Sequence, residues 1–112
     1  MIRGSFAFVP RGNNAIAFKG AQTNTTTESS AGLNFLFTQD PSAAPTTQAN
    51  IDAARTNAFY LVNTVHDISY VYGFTEAGFN FQDNNFGKGG VGNDRVTISV
   101  QDSSGINNGG CL

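Results

Sequence analysis

The sequence predicts an α+β chain in which short strands surround one long helix. Three observations carry that prediction: brief apolar runs bounded by Gly, Asn and Ser, one extended stretch with apolar residues at spacings of three and four, and a late six-residue alternation of apolar and polar side chains. With 112 residues there is room for one domain at most. A compact chain of this size buries roughly 60–68% of the surface its unfolded form exposes, enough for a modest core and too little for a deep, walled cleft.

Taken in order, Ala15 to Lys19 and Leu33 to Phe37 are the first two expected strands, since neither run reaches helical length. Between them lies QTNTTTESS, residues 22–30, containing the triplet Asn24-Thr25-Thr26. That triplet is an N-glycosylation acceptor in a secretory compartment on an exposed loop, and it also arises by chance in Asn/Thr-rich sequence. The segment 40–47, DPSAAPTT, is a connector with two prolines. It ends in Thr46 and Thr47, hydroxyl side chains suited to cap a helix that starts just after them.

The stretch Asn50 to Tyr72 predicts a helix of about 23 residues. Ile51, Ala54, Ala58, Leu61, Val65, Ile68 and Tyr72 mark its expected buried face, and Gly73 supplies the stop. Phe59, Tyr60, Val62, Tyr70 and Val71 widen the apolar surface beyond one stripe, so the helix calls for cover on more than one side. After it, Gln82 to Asp94 is turn chemistry with glycines at 87, 89, 90 and 92. Arg95 to Val100 then alternates as a half-buried strand.

Composition excludes several functions. Asn, Thr, Ser and Gly supply 45 residues, while only 12% are charged and the net charge is -2, so no basic stripe is available for nucleic acid. No apolar run approaches 18 residues, so no membrane helix is expected. The opening ten residues lack the order of a signal peptide. Cys111 stands alone, without an internal disulfide partner, and misses the prenylation pattern.

Catalytic constellations are equally sparse. His66 is the sole imidazole, and position 70 is Tyr, so His66-Asp67-Ile68-Ser69-Tyr70 is not the H-E-x-x-H zinc motif. The expectation is a structural histidine, hydrogen-bonded to a neighbouring element. Asp83, Asn84, Asn85, Asn93 and Asp94 offer oxygens, but the intervening glycines lack the side-chain ligands of a calcium loop, and a glycine-rich surface loop is the preferred reading. No Gly-Lys-Ser/Thr phosphate loop or Gly-x-Ser-x-Gly nucleophile motif occurs.

The stretch from Asn57 to Asn108, NAFYLVNTVHDISYVYGFTEAGFNFQDNNFGKGGVGNDRVTISVQDSSGINN, closely resembles the N-terminal part of the catalytic domain of the fungalysins, secreted fungal zinc metalloendopeptidases. RGNNAIAFKG, residues 11–20, is similar to the same family. The resemblance covers residues 11–108; residues 1–10 and the tail 109–112 do not match it. It implies the strand-rich N-terminal lobe of a thermolysin-like protease with one long helix, truncated before the helical lobe that holds zinc.

In that family two His of an H-E-x-x-H helix and a later Glu bind zinc, and the motif Glu acts as general base. The resemblance places all of them downstream, so it implies zinc as cofactor with no catalytic or metal-binding residue in this chain. It likens Arg95 to Val100 and the segment 104–108 to the edge strand that pairs with an extended protein or peptide substrate. Asn108 matches the Asn that contacts the substrate backbone, and Asn107 precedes it. From the residues alone this pair reads as a turn after an edge strand.

The expected function is therefore part of an extracellular zinc metalloendopeptidase, inactive by itself. The alternatives are a non-catalytic secreted module that binds a glycan or protein through the Asn/Gly-rich loops, and a remnant too incomplete to fold. The expected partners include neither nucleic acid nor membrane.

Overall fold

A computed structural model describes residues 10–20 and 35–103. Its elements are strand β1 (Ala15–Phe18), helix α1 (Gln48–Val71), a short 3-10 turn at Glu76–Gly78 and strand β2 (Val96–Ser99). The strands pair in parallel, with Ala15 opposite Val96 and Phe18 opposite Ser99. Parallel pairing needs a long crossover, and the segment carrying α1 supplies it. The α+β expectation holds.

β1 is the centre of the molecule because both of its edges are used. Residues 10–12 fold back on one side, where Gly12 N donates to Ala15 O at 2.9 Å and Ala17 N to Pro10 O at 2.9 Å. β2 lies on the other side. Ala15, Ile16 and Ala17 are fully buried and, with Val100, form the apolar core. α1 comes close to the turn before β1, where the Phe59 ring lies 3.4 Å from where a Cβ on Gly12 would sit.

The expected strand Leu33 to Phe37 is not found in its described part, since residues 35–37 carry no strand pairing. Phe35 and Phe37 are partly buried and Leu36 is exposed, so the alternation is present without a partner strand. β2 is two residues shorter than expected because the ladder closes at Ser99; Val100 still donates to Phe18 O at 2.8 Å, and Gln101 then turns into the left-handed region at φ 49°.

α1 begins two residues earlier than the periodicity suggests. Thr47 occupies the N-cap position, yet its hydroxyl donates to Ala44 O at 3.0 Å and does not cap the helix. Asn50 fastens the start instead. Its Oδ1 accepts from Asp40 N at 2.8 Å, and its Nδ2 donates to Asp40 O and Ala44 O at 3.0 and 3.1 Å, folding the proline connector onto the first turn. At the other end Gly73, at φ 101°, completes a double closure: Gly73 N donates to Tyr70 O and Phe74 N to Ser69 O, each at 3.0 Å.

The helix is rotated by about one residue, roughly 100°, from the expected buried face: Ile51, Ala54 and Ala58 are half-buried, and beyond them the inward side passes through Phe59, Val62 and His66. Its buried residues are Asn50, Asp52 and Arg55, continuing along the inward side through Asn63, whose Oδ1 accepts from Asn14 Nδ2 at 3.1 Å. Leu61, Val65, Ile68 and Tyr72 are exposed. Phe59 beside Gly12 and the Asn14–Asn63 hydrogen bond both lie on the side of α1 that meets the sheet.

Candidate functional site

The alternation of a parallel ladder defines the site. Val96 N donates inward to Asn14 O at 2.9 Å and Val100 N to Phe18 O at 2.8 Å, so even-numbered residues face β1. Thr97 and Ser99 consequently direct both amide and carbonyl to the opposite edge, where the sheet has no further strand among the described residues. That edge has the form required for main-chain pairing with an extended peptide.

Both ends of β2 are fixed. At its start, Arg95 Nη1 lies 2.6 Å from Asp83 Oδ2. At its end, Lys19 Nζ donates to Gln101 O at 3.1 Å, and Gln101 Nε2 donates to Pro45 O at 2.6 Å. Ser99 Oγ also donates to Asp102 Oδ2 at 2.9 Å. These ties hold the edge in register without occupying it.

The glycine-rich loop before β2 is braced by asparagines whose role composition alone does not disclose. Asn13 and Asn84 are joined reciprocally: Asn84 N donates to Asn13 Oδ1 at 2.8 Å, and Asn13 Nδ2 donates to Asn84 O at 3.0 Å. Asp83 N donates to Asn13 O at 2.8 Å. The Asn13-Asn14 pair thus ties the β1 turn to the loop, to β2 and to α1. A sequence signal existed, in that Asn-Asn directly before a strand combines turn geometry with two side chains able to bond backbone.

His66 is 13% exposed, with Nδ1 3.1 Å from Asp67 Oδ1 and Nε2 3.4 Å from Asn80 Nδ2. Asn80 donates onward to Gln82 Oε1, and Gln82 Nε2 donates to Asn84 O at 3.3 Å. This is the structural histidine expected from the sequence, bonded to a neighbouring element. Asp67 touches it despite the roughly 100° between neighbouring helix positions. Across an open hollow, Tyr70 Oη donates to the buried Glu76 at 3.0 Å, and Lys88 Nζ lies 3.5 Å from the same carboxylate. Glu76's own backbone N–H, with Tyr70 and Lys88, holds its carboxyl below the usual value of 4.5 against the opposing effect of burial. The Tyr70 hydroxyl and the Glu76 charge in turn raise the Lys88 ammonium above 10.5.

Among the described residues no group of three His, Cys, Asp or Glu is placed to hold a metal ion. The single imidazole is engaged on both nitrogens by its neighbours. Among the described residues none is placed to hold the zinc that the resemblance implies. No helix among the described residues is long and apolar enough to cross a membrane. The substrate-contact candidates Asn107 and Asn108 and the glycosylation candidate Asn24 lie outside the described residues.

Comparison with known proteins identifies the relatives of this chain. Extracellular metalloproteinase 5 of Trichophyton rubrum is 47% identical over 103 residues, covering 88% of this chain and 16% of the relative. Extracellular metalloproteinase MEP of Pyricularia oryzae is 44% identical over the same length, again 88% of this chain and 16% of the relative. The chain thus spans about one sixth of the relatives it matches. The family model described as fungalysin metallopeptidase (M36) matches residues 6–111, and the chain belongs to that family.

Proposed function

We propose that this chain supplies the substrate-aligning edge of an extracellular zinc metalloendopeptidase. Thr97 and Ser99 pair with the backbone of an extended peptide, and Asn107 and Asn108 continue the contact beyond β2. The observation that carries the reading is that, among the described residues, β2 pairs on one side only, in a member of a metallopeptidase family. The relatives' description as extracellular metalloproteinases supports both the location and the substrate class. Zinc and the groups that activate water belong to polypeptide outside this chain, which does not hydrolyse peptides on its own. Nothing in the family match favours a glycan-binding module.

Nuclear magnetic resonance titration with an unstructured peptide tests the reading. Shifts concentrated at the amides of Thr97, Ser99, Asn107 and Asn108 are expected. Thr97→Pro removes an outward donor while sparing the inward ladder, so it should weaken binding at least tenfold, about 1.4 kcal/mol. Thr97→Ala should bind as the parent does. Peptide shifts elsewhere on the chain, or unchanged affinity in Thr97→Pro, would overturn the assignment.

A further inference from the structure

The glycine-rich loop leaves the body of the molecule and returns to it at one point. Asn93 N donates to Asp83 O at 2.8 Å, and a Cβ on Gly92 would sit 2.6 Å from that same oxygen, so residues 84–92 form an excursion with a closed neck. The neck is tied down independently. Asp83 N donates to Asn13 O at 2.8 Å, and Asp83 Oδ2 lies 2.6 Å from Arg95 Nη1. The excursion also braces itself, with Lys88 N donating to Asn85 O at 3.0 Å and Asn85 Nδ2 to Gly89 O at 2.8 Å.

Its tip meets the body at Glu76. Gly90 lies against the Glu76 backbone, while Lys88 Nζ lies 3.5 Å from Glu76 Oε1, 3.5 Å from Tyr70 Oη and 5.8 Å from the centre of the Tyr70 ring. The Lys88 side chain is 58% exposed and that of Glu76 only 4%. A carboxylate so covered needs donors facing it, because a buried charge without partners is costly. Tyr70 Oη, at 3.0 Å, and Lys88 supply them. From α1, His66 and Asp67 border the same hollow, as does Gln82 beyond the 3-10 turn. A charge gained by His66 is met by Asp67 Oδ1 at 3.1 Å, which leaves Glu76 as the group whose protonation removes the attraction for Lys88.

We propose that residues 84–92 are a strap that the Glu76 carboxylate holds shut and acid releases: protonation of Glu76 ends its attraction for Lys88 and frees the tip, while the neck at Asp83 and Asn93 stays paired and β2 keeps its register. The strap is shut above about 4.5 and opens as pH falls through the lower folded value of Glu76, which its own backbone N–H, Tyr70 and Lys88 depress.

Nitrogen-15 relaxation of the 112-residue chain, recorded on both sides of the titration of the Glu76 side-chain carboxyl resonance, tests the strap. Order parameters of the Lys88 and Gly89 amides should fall from about 0.85 to below about 0.6 as Glu76 takes its proton, while those of Asn93 and Val96 stay near 0.85. The nuclear Overhauser contact between the Lys88 methylenes and the Tyr70 ring should vanish in the same step. Glu76→Gln and Lys88→Met should both show the mobile tip at pH 7 with no further change on acidification, and Lys88→Arg should restore the acid step. Lys88 is exposed, so its substitution keeps the test if Glu76→Gln fails to fold. A tip that stays rigid in Lys88→Met at pH 7 would overturn the strap. So would Asn93 and Val96 loosening together with Lys88, which would make the acid response a loss of the fold instead of the release of a loop. Peptide binding enters none of these measurements, so failure of the edge assignment at Thr97 and failure of the strap remain distinguishable.

Discussion

At the residue scale, the loop that delivers β2 depends on backbone approaches closer than a side chain permits. Gly90, at φ 69°, passes so near Glu76 that an added Cβ would sit 1.8 Å from its carbonyl oxygen. Gly89, at φ 96°, has open space around it. Gly90→Ala should therefore cost roughly 2–4 kcal/mol from steric displacement plus the left-handed backbone, and Gly89→Ala about 1–2 kcal/mol from the backbone alone. Urea denaturation of the two variants checks the ordering. Glu76 adds a pH signature to the same junction. Its folded pKa is depressed, so its stabilisation is fully present above about 4.5, the unfolded value, and is lost as pH falls through the lower folded value. Melting temperatures from pH 7 to 3 should fall below about 4.5 in the parent and fall less in Glu76→Gln. A parallel fall in both would assign the acid sensitivity to other carboxylates.

At the element scale, β2 separates its two kinds of backbone group by parity, and substitution can address each separately. Ile98→Pro removes an amide that faces β1 and leaves an inward carbonyl unpaired, so it should cost roughly 1–3 kcal/mol of stability, read by denaturant unfolding. Thr97→Pro, on the other parity, should spare most of that and lose peptide affinity instead. The sequence disclosed the strand through the alternation of Val96, Ile98 and Val100, and it disclosed α1 through its period and Gly73. It did not disclose which side of α1 faces inward, because the apolar spacing of Ile51, Leu61 and Ile68 is the loudest local signal. The inward contacts, Phe59 beside Gly12, Asn14 donating to Asn63 and His66 beside Asn80, are long-range and only folding brings them together. The misread strand at 33–37 has the same origin: alternation marks a surface suited to pairing but cannot supply the partner. Thr47 shows the local version, in which a good capping residue spends its hydroxyl on Ala44.

At the scale of the whole molecule, the family's chemistry and this chain's donors disagree, and the disagreement predicts a result. The eight carboxylates are spread through the sequence, one His serves the chain, and that His is held between Asp67 and Asn80. A catalytic zinc site needs three protein ligands in tetrahedral reach, and tight binding depends on their being placed together before the metal arrives. Purified chain dialysed against micromolar zinc and then against metal-free buffer should retain far less than one equivalent, and it should leave a casein substrate intact. His66→Ala should leave the residual zinc unchanged, while weakening the attachment of α1 to the glycine-rich loop through the loss of Asn80's neighbour. One retained equivalent that vanishes in His66→Ala would make His66 a ligand and refute the assignment of zinc to polypeptide outside this chain. An intact relative treated in the same way should keep its metal, so the comparison isolates what this portion of the fold contributes: a strand edge that no further strand covers among the described residues.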